Sequence, residues 1–183
     1  MTETEKQRKG MEFWNLDEEI SAAKIRARLL TQKLNAVAVD DAAQIRKIVD
    51  ELFASCGTDL TLKTPIQCDF GYNIFIGDHV LINYNCVFLD AAPITIGDNC
   101  FVGPMTGLYT VNHPLDPVRR NAGYVCGKPI TLEKNVWIGG SCTILPGVTI
   151  GENSVIGGGS VVTKDIPANV IAVGSPAKVI RKL

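Results

Sequence analysis

Histidine is nearly missing from this chain: only His79 and His113 occur in 183 residues. Excess charge is missing too, since 18 basic side chains face 19 acidic ones for a net charge of −1. That balance excludes the broad electrostatic surface that nucleic acid or membrane binding requires. Two short basic patches remain, Arg119-Arg120 and Lys178 to Lys182, each sized for a compact anion. No Cys-x-x-Cys pair exists among the six cysteines, so neither a zinc knuckle nor a thioredoxin-type site is indicated. An even cysteine count in a chain of this length does not imply disulfides. No apolar run reaches the length of a membrane helix, and the opening MTETEKQRKG has no apolar signal-peptide core. These absences read as a cytoplasmic protein with one domain, or one domain and a small appendage.

What is present divides at about residue 57. Residues 1–57 read as helical. Asn15 followed by Glu18 resembles a capping box, and Ile20, Ala23, Ala27, Leu30 and Leu34 form a helical stripe after it. Asp40 or Asp41 caps a second helix, in which Ile45, Ile48, Val49, Leu52, Phe53 and Cys56 recur at three- and four-residue steps and Gly57 is the expected stop.

Over 58–183 the period changes to six. Ile76, Ile82 and Phe88 form one series; Ile96, Val102 and Leu108 a second; Leu132, Ile138, Ile144, Ile150, Ile156 and Val162 a third. Four positions after each comes a smaller residue, including Val80, Cys86, Cys100, Thr106, Cys142 and Ser154. A period of six fits neither a free helix nor a flat sheet, but does fit a short strand and a tight turn, repeated. Three such units close a triangular coil, and successive coils stack about 4.8 Å apart, the strand spacing. The large aliphatic points inward, while glycine, Asn and Asp relieve the corners. Cys86, Cys100 and Cys142 then become small core residues, with Cys68 in the same class if the phase extends back; Cys126 has no such address.

The repeats stop at Leu108 and resume near Ile130. The insertion, 109–129, holds Asn112, His113, three prolines, Arg119-Arg120 and Gly123. A long loop leaving a rigid solenoid is a usual place for function, and an imidazole is the side chain best suited to moving protons near neutral pH.

The [Ile/Val]-Gly-x-x-[small]-x repeats resemble those of the hexapeptide-repeat acyltransferases. Within that family NVWIGGSCTILPGVTIGENSVIGGGSVVTKDIP (Asn135–Pro167) and AVGSPAKVIR (Ala172–Arg181) look like the maltose and galactoside O-acetyltransferases. RKGMEFWNLDEEI (Arg8–Ile20) is similar to the helical segment that precedes their β-helix. The resemblance covers nearly the whole chain. It implies a mainly β fold, a left-handed parallel β-helix with a small N-terminal helical region, an active-site loop and a C-terminal CoA-binding tail. It further implies acetyl-CoA as co-substrate, a small-molecule hydroxyl acceptor, no metal, and a homotrimer with sites between subunits. The γ-type carbonic anhydrases share the helix but need three histidines for their metal, and this chain has two.

Residue by residue, the resemblance makes His113, in its His-Pro step, the general base. It assigns acceptor contacts to Asn83, Asp69, Asn15 and Asp90, with Asp90 equally readable as a corner residue. Gly140 and Gly158 fall where backbone approaches the pantetheine arm. Thr163, Lys164, Lys178 and Arg181 match further CoA contacts, the last two also readable as a solvated tail. Trp137 either walls the groove or packs at a subunit contact. Two departures stand out: Ala91 replaces an acceptor-contacting aspartate of the galactoside enzyme, and the loop's return, Gly123 to Pro129, lacks the usual acidic residue, for which Asp90 is a candidate substitute. The expected activity is acetyl transfer from acetyl-CoA to a sugar hydroxyl. Alternatives are an acyltransferase of the same architecture acting on an antibiotic, amino sugar or lipo-oligosaccharide, and an inactive β-helix scaffold.

Overall fold

Aliphatic side chains six apart all turn into one interior: Ile76, Ile82, Phe88, Ile96, Val102, Leu108, Leu132, Ile138, Ile144, Ile150, Ile156 and Val162 are buried. The computed structural model describes all 183 residues. The chain winds through about six turns of a left-handed parallel β-helix, visiting three flat faces in a fixed order. The first face stacks Ser55–Cys56, Ile74–Ile76, Ile94–Ile96, Ile130–Leu132 and Thr149–Ile150. The second stacks Thr61–Leu62, Leu81–Ile82, Phe101–Val102, Trp137–Ile138, Val155–Ile156 and Val170–Val173. The third stacks Ile66–Cys68, Cys86–Leu89, Gly107–Tyr109, Thr143–Ile144 and Val161–Val162. Backbone hydrogen bonds run between coils, so each strand of a face pairs with strands one coil away.

The corners follow from local chemistry. Between the first and second faces Asp59, His79, Asn99, Asn135, Asn153 and Asn169 each sit at positive φ, where Asn and Asp are least penalised. Between the second and third faces Asn85, Met105, Ser141 and Gly159 play the same part. Cys86, Cys100 and Cys142 are buried at the small inward position as expected, but Cys68 is not in that class: it stands opposite Phe88, at the large inward position, with Ile66 opposite Cys86. Burial pushes the Cys68 thiol up to about 12. None of the six cysteines is in a disulfide.

Helices close the N-terminal mouth. Helix α1 spans Glu3–Arg8, α2 Glu18–Asn35 and α3 Ala42–Leu52. Leu30 and Leu34 of α2 and Ile48, Val49 and Leu52 of α3 join the same apolar cluster as Ile66 and Ile74 of the first coils. Asn35 caps the open strand edge by donating Nδ2 to the Ile66 carbonyl at 2.9 Å and accepting the Ile66 N–H at 3.0 Å. At the far end Lys178–Lys182 folds back antiparallel on Val170–Val173. No helix is long and apolar enough to cross a membrane.

Two local expectations are corrected. The cap of α2 is Asp17, which accepts the Glu19 and Ile20 N–H groups, so Asn15 and Glu18 form no capping box. Gly57 does not end α3, which stops at Leu52 with Phe53 extended. Ser55–Cys56 is already a strand of the first face, three residues before the expected boundary. Gly57 is required there because a Cβ would lie 2.6 Å from the Gly77 carbonyl.

The faces differ in what they show to solvent. On the second face Leu81, Phe101, Trp137, Val155 and Ile171 stand in one register column, with Phe101 50% and Trp137 55% exposed. The corresponding column of the first face, apart from Phe75, reads Thr95, Thr131 and Thr149.

Candidate active site

The 109–129 insertion leaves the corner between the third and first faces. It is a hairpin of Val111–Asn112 and Tyr124–Gly127, with Asn112 opposite Cys126, and a short helix α4, Pro117–Asn121, at its tip. Asp116 caps α4 by accepting the Val118 and Arg119 N–H groups. His113 follows the first strand and is exposed.

The N-terminal segment holds this hairpin from the outside. Phe13–Trp14 adds as a third, antiparallel strand, with Phe13 opposite Val125. Trp14 Nε1 donates to the Ala122 carbonyl at 2.8 Å, and the Asn15 N–H to that of Gly123 at 2.9 Å. Arg119 pairs with Glu12 and lies 4.6 Å from the Tyr124 ring centroid. Beneath the sheet Phe13, Ile20, Phe70, Ala91 and Val125 form a second small core. The base of the loop is therefore packed and hydrogen-bonded, while its tip at 115–122 is exposed.

This arrangement brings Asn15 to Lys24 of α2, whose charge also acts on Asp69. Lys24 is a residue that the sequence reading missed: its ammonium donates to Asn15 Oδ1 and stands 5.4 Å from the Phe70 ring centroid. Burial raises the Asp69 carboxyl above its usual value, and Lys24 opposes that shift. Burial likewise lowers Lys24, and Asp69 opposes it. The available signal was a lysine four residues after Ile20 and three before Ala27, inside the buried stripe.

Asp90 lies under this cluster and requires a correction. It is fully buried, and its carboxylate is already occupied: Oδ1 accepts the Asp69 and Phe70 N–H groups at 3.0 and 2.8 Å, and Oδ2 accepts that of Asn73 at 3.3 Å. The corner reading is the one that this geometry supports. Asp90 offers no surface to an acceptor, and its oxygens turn toward 69–73, not toward His113. Ala91 is also buried, in the small core.

The remaining residues named from sequence stand elsewhere. Asn83, Gly140 and Gly158 lie on the corner between the second and third faces, in the turns that follow Ile82, Ile138 and Ile156. Asn83 Oδ1 accepts the Tyr84 N–H at 2.9 Å. Thr163 and Lys164 follow Val162 and are exposed on the loop's corner, two coils beyond Thr110. Lys178 and Arg181 are exposed on the tail strand, opposite Val173 and Ile171. The third face separates the Asn83 corner from the His113 corner. Six residues from Tyr84 to Asp90, at about 3.3 Å each, span up to about 20 Å.

Glycine packing differs in tightness along the Asn83 corner. A Cβ on Gly139 would meet Gly158 N at 2.5 Å, an impossible contact inside the stack. On Gly140 and Gly158 the nearest atoms would be 3.3 and 3.2 Å away, a tight but adjustable fit. No side chain at these two positions stands between the corner and solvent.

Comparison with known proteins identifies the family. Residues 6–57 match the maltose acetyltransferase hexapeptide capping motif, 73–103 the hexapeptide repeat of succinyl-transferase, and 129–164 the bacterial transferase hexapeptide (six repeats). A maltose O-acetyltransferase from Clostridium difficile is 44% identical, with a TM-score of 0.98 over 100% of this chain and 98% of that one. The chain belongs to the hexapeptide-repeat acetyltransferases of the maltose and galactoside O-acetyltransferase type. Within this family, a Vibrio cholerae hexapeptide-repeat acetyltransferase solved with acetyl-CoA is 43% identical, with a TM-score of 0.93 and coverage of 100% and 99% of the two chains. A galactoside acetyltransferase solved with coenzyme A is 38% identical, with a TM-score of 0.94 over 100% and 91%. Acetyl-CoA is the donor that this membership assigns.

Proposed function

We propose that this acetyltransferase moves an acetyl group from acetyl-CoA to a hydroxyl of a sugar by direct transfer, with His113 as general base. The observation that carries the reading is the loop geometry. The hairpin stalk that bears His113 belongs to the same three-stranded sheet whose outer strand leads to Asn15, and Asn15 is joined through Lys24 to Asp69. A base and a polar cluster able to hold hydroxyls thus share one corner of the helix. The named activity of the C. difficile relative supports a sugar acceptor. The buried Ala91, in place of the galactoside enzyme's aspartate, argues for an acceptor other than a galactoside.

Acetyl-CoA supplies an activated thioester carbonyl. His113 takes the proton of the acceptor hydroxyl as its oxygen bonds to that carbonyl carbon, and the proton then goes to the sulfur as the C–S bond breaks. Asp69 and Lys24 orient the acceptor, while Lys178, Arg181 and Lys164 attract the donor's phosphates. No acyl-enzyme is needed when both substrates meet at the base.

The two site corners, up to about 20 Å apart on one chain, fit a homotrimer in which the His113 corner of one subunit faces the Asn83, Gly140 and Gly158 corner of its neighbour. The apolar column around Phe101 and Trp137 adjoins that second corner and gives the neighbour a surface to cover.

The test is thiol release from acetyl-CoA across a panel of sugar hydroxyl acceptors, with wild type beside His113→Ala. Turnover is expected to fall about 10²–10⁴-fold, the usual worth of a positioned base, with circular dichroism and particle size unchanged. A folded His113→Ala protein with wild-type turnover would remove the base and the mechanism with it.

A further inference from the structure

The corner that carries the loop contains two buried polar side chains that no step above uses. Regular coils place a small polar residue only at the inward position four after the large aliphatic, as with Thr106, Ser154 and Ser160. Asp90 and Thr110 lie outside that series, yet both are 0% exposed. The parallel register sets Cys68 opposite Phe88 and Leu89 opposite Tyr109. Continued through the corner, it stacks Phe70, Asp90 and Thr110 on three successive coils. Further along the same column stand Pro146 and Lys164, neither of them a buried polar side chain. The polar pair occurs only where the acceptor turn and the loop meet.

Each member reaches back one coil. Asp90 gathers the Asp69, Phe70 and Asn73 N–H groups, and its own carbonyl accepts Asn73 Nδ2 at 2.7 Å. The turn that displays Asp69 is thereby tied at four points to one residue. Thr110 Oγ1 donates to the Leu89 carbonyl at 2.7 Å and accepts the Ala92 N–H at 2.9 Å. These two contacts flank Asp90 in sequence. The same short segment also holds both stalks of the loop. Thr110 begins the outgoing stalk three residues before His113. On the return, the Lys128 N–H donates to the Thr110 carbonyl at 2.8 Å, and the Ile130 N–H to that of Pro93 at 2.9 Å.

We propose that Asp90 and Thr110 form one buried bracket that fixes the position of Asp69 relative to His113, which makes Asp90 a positioning residue for acetyl transfer although it touches no substrate. The inference rests on the reading of His113 as base and Asp69 as acceptor contact. The chemistry explains the residue types. Three N–H donors converge on one side chain, and only a carboxylate can accept all of them; an amide at position 90 would turn its own donors toward at least one. At position 110 one group must donate and accept at once, which a hydroxyl does and an aliphatic does not. Neither residue belongs to the Ile/Val ladder, so the helix keeps its core without them.

The experiment compares Asp90→Asn, Thr110→Val, Thr110→Ser and the Asp90→Asn/Thr110→Val pair, with His113→Ala in parallel. Acceptor kcat/KM is expected to fall about 10- to 100-fold in Asp90→Asn and in Thr110→Val, the scale of a roughly 1 Å misplacement of reacting groups. The acetyl-CoA KM should stay within about twofold, because the donor contacts lie on other coils and corners. Thr110→Ser, which keeps the hydroxyl, should restore most of the activity. The double variant should lose little more than the worse single one, as residues acting as a unit do. Folded Asp90→Asn and Thr110→Val proteins with wild-type acceptor kinetics, beside an inactive His113→Ala, would overturn the bracket alone. Equal loss in Thr110→Ser and Thr110→Val would also overturn it. An active, folded His113→Ala would instead sink the underlying reading. If Asp90→Asn does not fold, the two Thr110 variants decide the question.

Discussion

Asn135 donates Nδ2 to Asn153 Oδ1 at 2.9 Å, and Asn153 donates in turn to Asn169 Oδ1 at 2.8 Å. All three stand at φ near +60°, so one residue type meets two demands of the corner: it tolerates the left-handed conformation and links coil to coil. Asn153→Ala should lower stability by about 1–2 kcal/mol, through lost side-chain bonds and a Cβ in an unfavourable conformation. Asn153→Gly loses the bonds but not the conformation and should cost clearly less. Urea unfolding of both variants checks this, and equal losses would show that backbone conformation is not the reason for asparagine here.

The Phe101 and Trp137 column bears on assembly. Phe101→Asp together with Trp137→Asp should place two carboxylates in the face that a neighbouring subunit would cover. Light scattering should then show monomers where the wild type is expected to form trimers, and activity should fall with assembly, since His113 would lose the opposite corner. A wild-type protein that is monomeric at micromolar concentration contradicts the trimer outright.

The donor site is tested by contrast between glycines. Gly158→Val should leave folding intact with minor adjustment and raise the acetyl-CoA KM, because the new side chain occupies the surface proposed for the pantetheine arm. Gly139→Val should fail to fold properly, since its Cβ would sit 2.5 Å from Gly158 N. Lys178→Ala with Arg181→Ala should raise the acetyl-CoA KM about 10- to 100-fold, the worth of one or two charge-assisted hydrogen bonds, with less effect on the acceptor. An unchanged acetyl-CoA KM in the tail variant would return Lys178 and Arg181 to the role of solvated charges.

The fold was legible because its information is periodic. Ile138, Ile144, Ile150, Ile156 and Val162 repeat one instruction, and a single register carries it through every coil. The site was less legible because its contacts are single and distant in sequence. Nothing near Trp14 announces the Ala122 carbonyl 108 residues away, and without that stitch Asn15 has no reason to approach Lys24. Lys24 was hidden inside a helical stripe that reads as core. The cap of α2 was misplaced because Asn15 and Asp17 both suit an N-terminus, and which one caps depends on whether Asn15 is occupied elsewhere; here Lys24 occupies it. Gly57 looked like a helix stop because sequence shows its freedom of φ and not the close approach of Gly77. Asp90 kept two readings until its burial and its three N–H donors separated them.

That burial gives Asp90 a measurable signature. Loss of water raises its carboxyl from the ordinary 3.8 to about 6, against the N–H donors of Phe70 and Asn73, and the neighbouring Asp69 adds to the rise. The other ionisable groups facing it, Tyr72 and Cys68, are both held in their neutral forms, with pKa values of about 12; Thr110, on the loop side, carries no charge. The folded pKa lies above the unfolded one, so the folded protein binds this proton more tightly. Stability contributed by Asp90 is therefore greatest below about pH 4 and declines as pH rises through about 6, where the buried carboxylate becomes charged. A shift of this size corresponds to on the order of 2–3 kcal/mol across that window. Asp90→Asn cannot titrate and loses the slope, whatever it costs in hydrogen bonds at any one pH. Urea unfolding of wild type and Asp90→Asn at several values between pH 4 and pH 7 should therefore give stabilities whose difference moves steadily in favour of the variant as pH rises. Groups elsewhere titrate in both proteins and cancel in that difference. A pH-independent difference would mean that Asp90 keeps an ordinary carboxylate pKa in the folded protein, with its three N–H donors fully offsetting the loss of water.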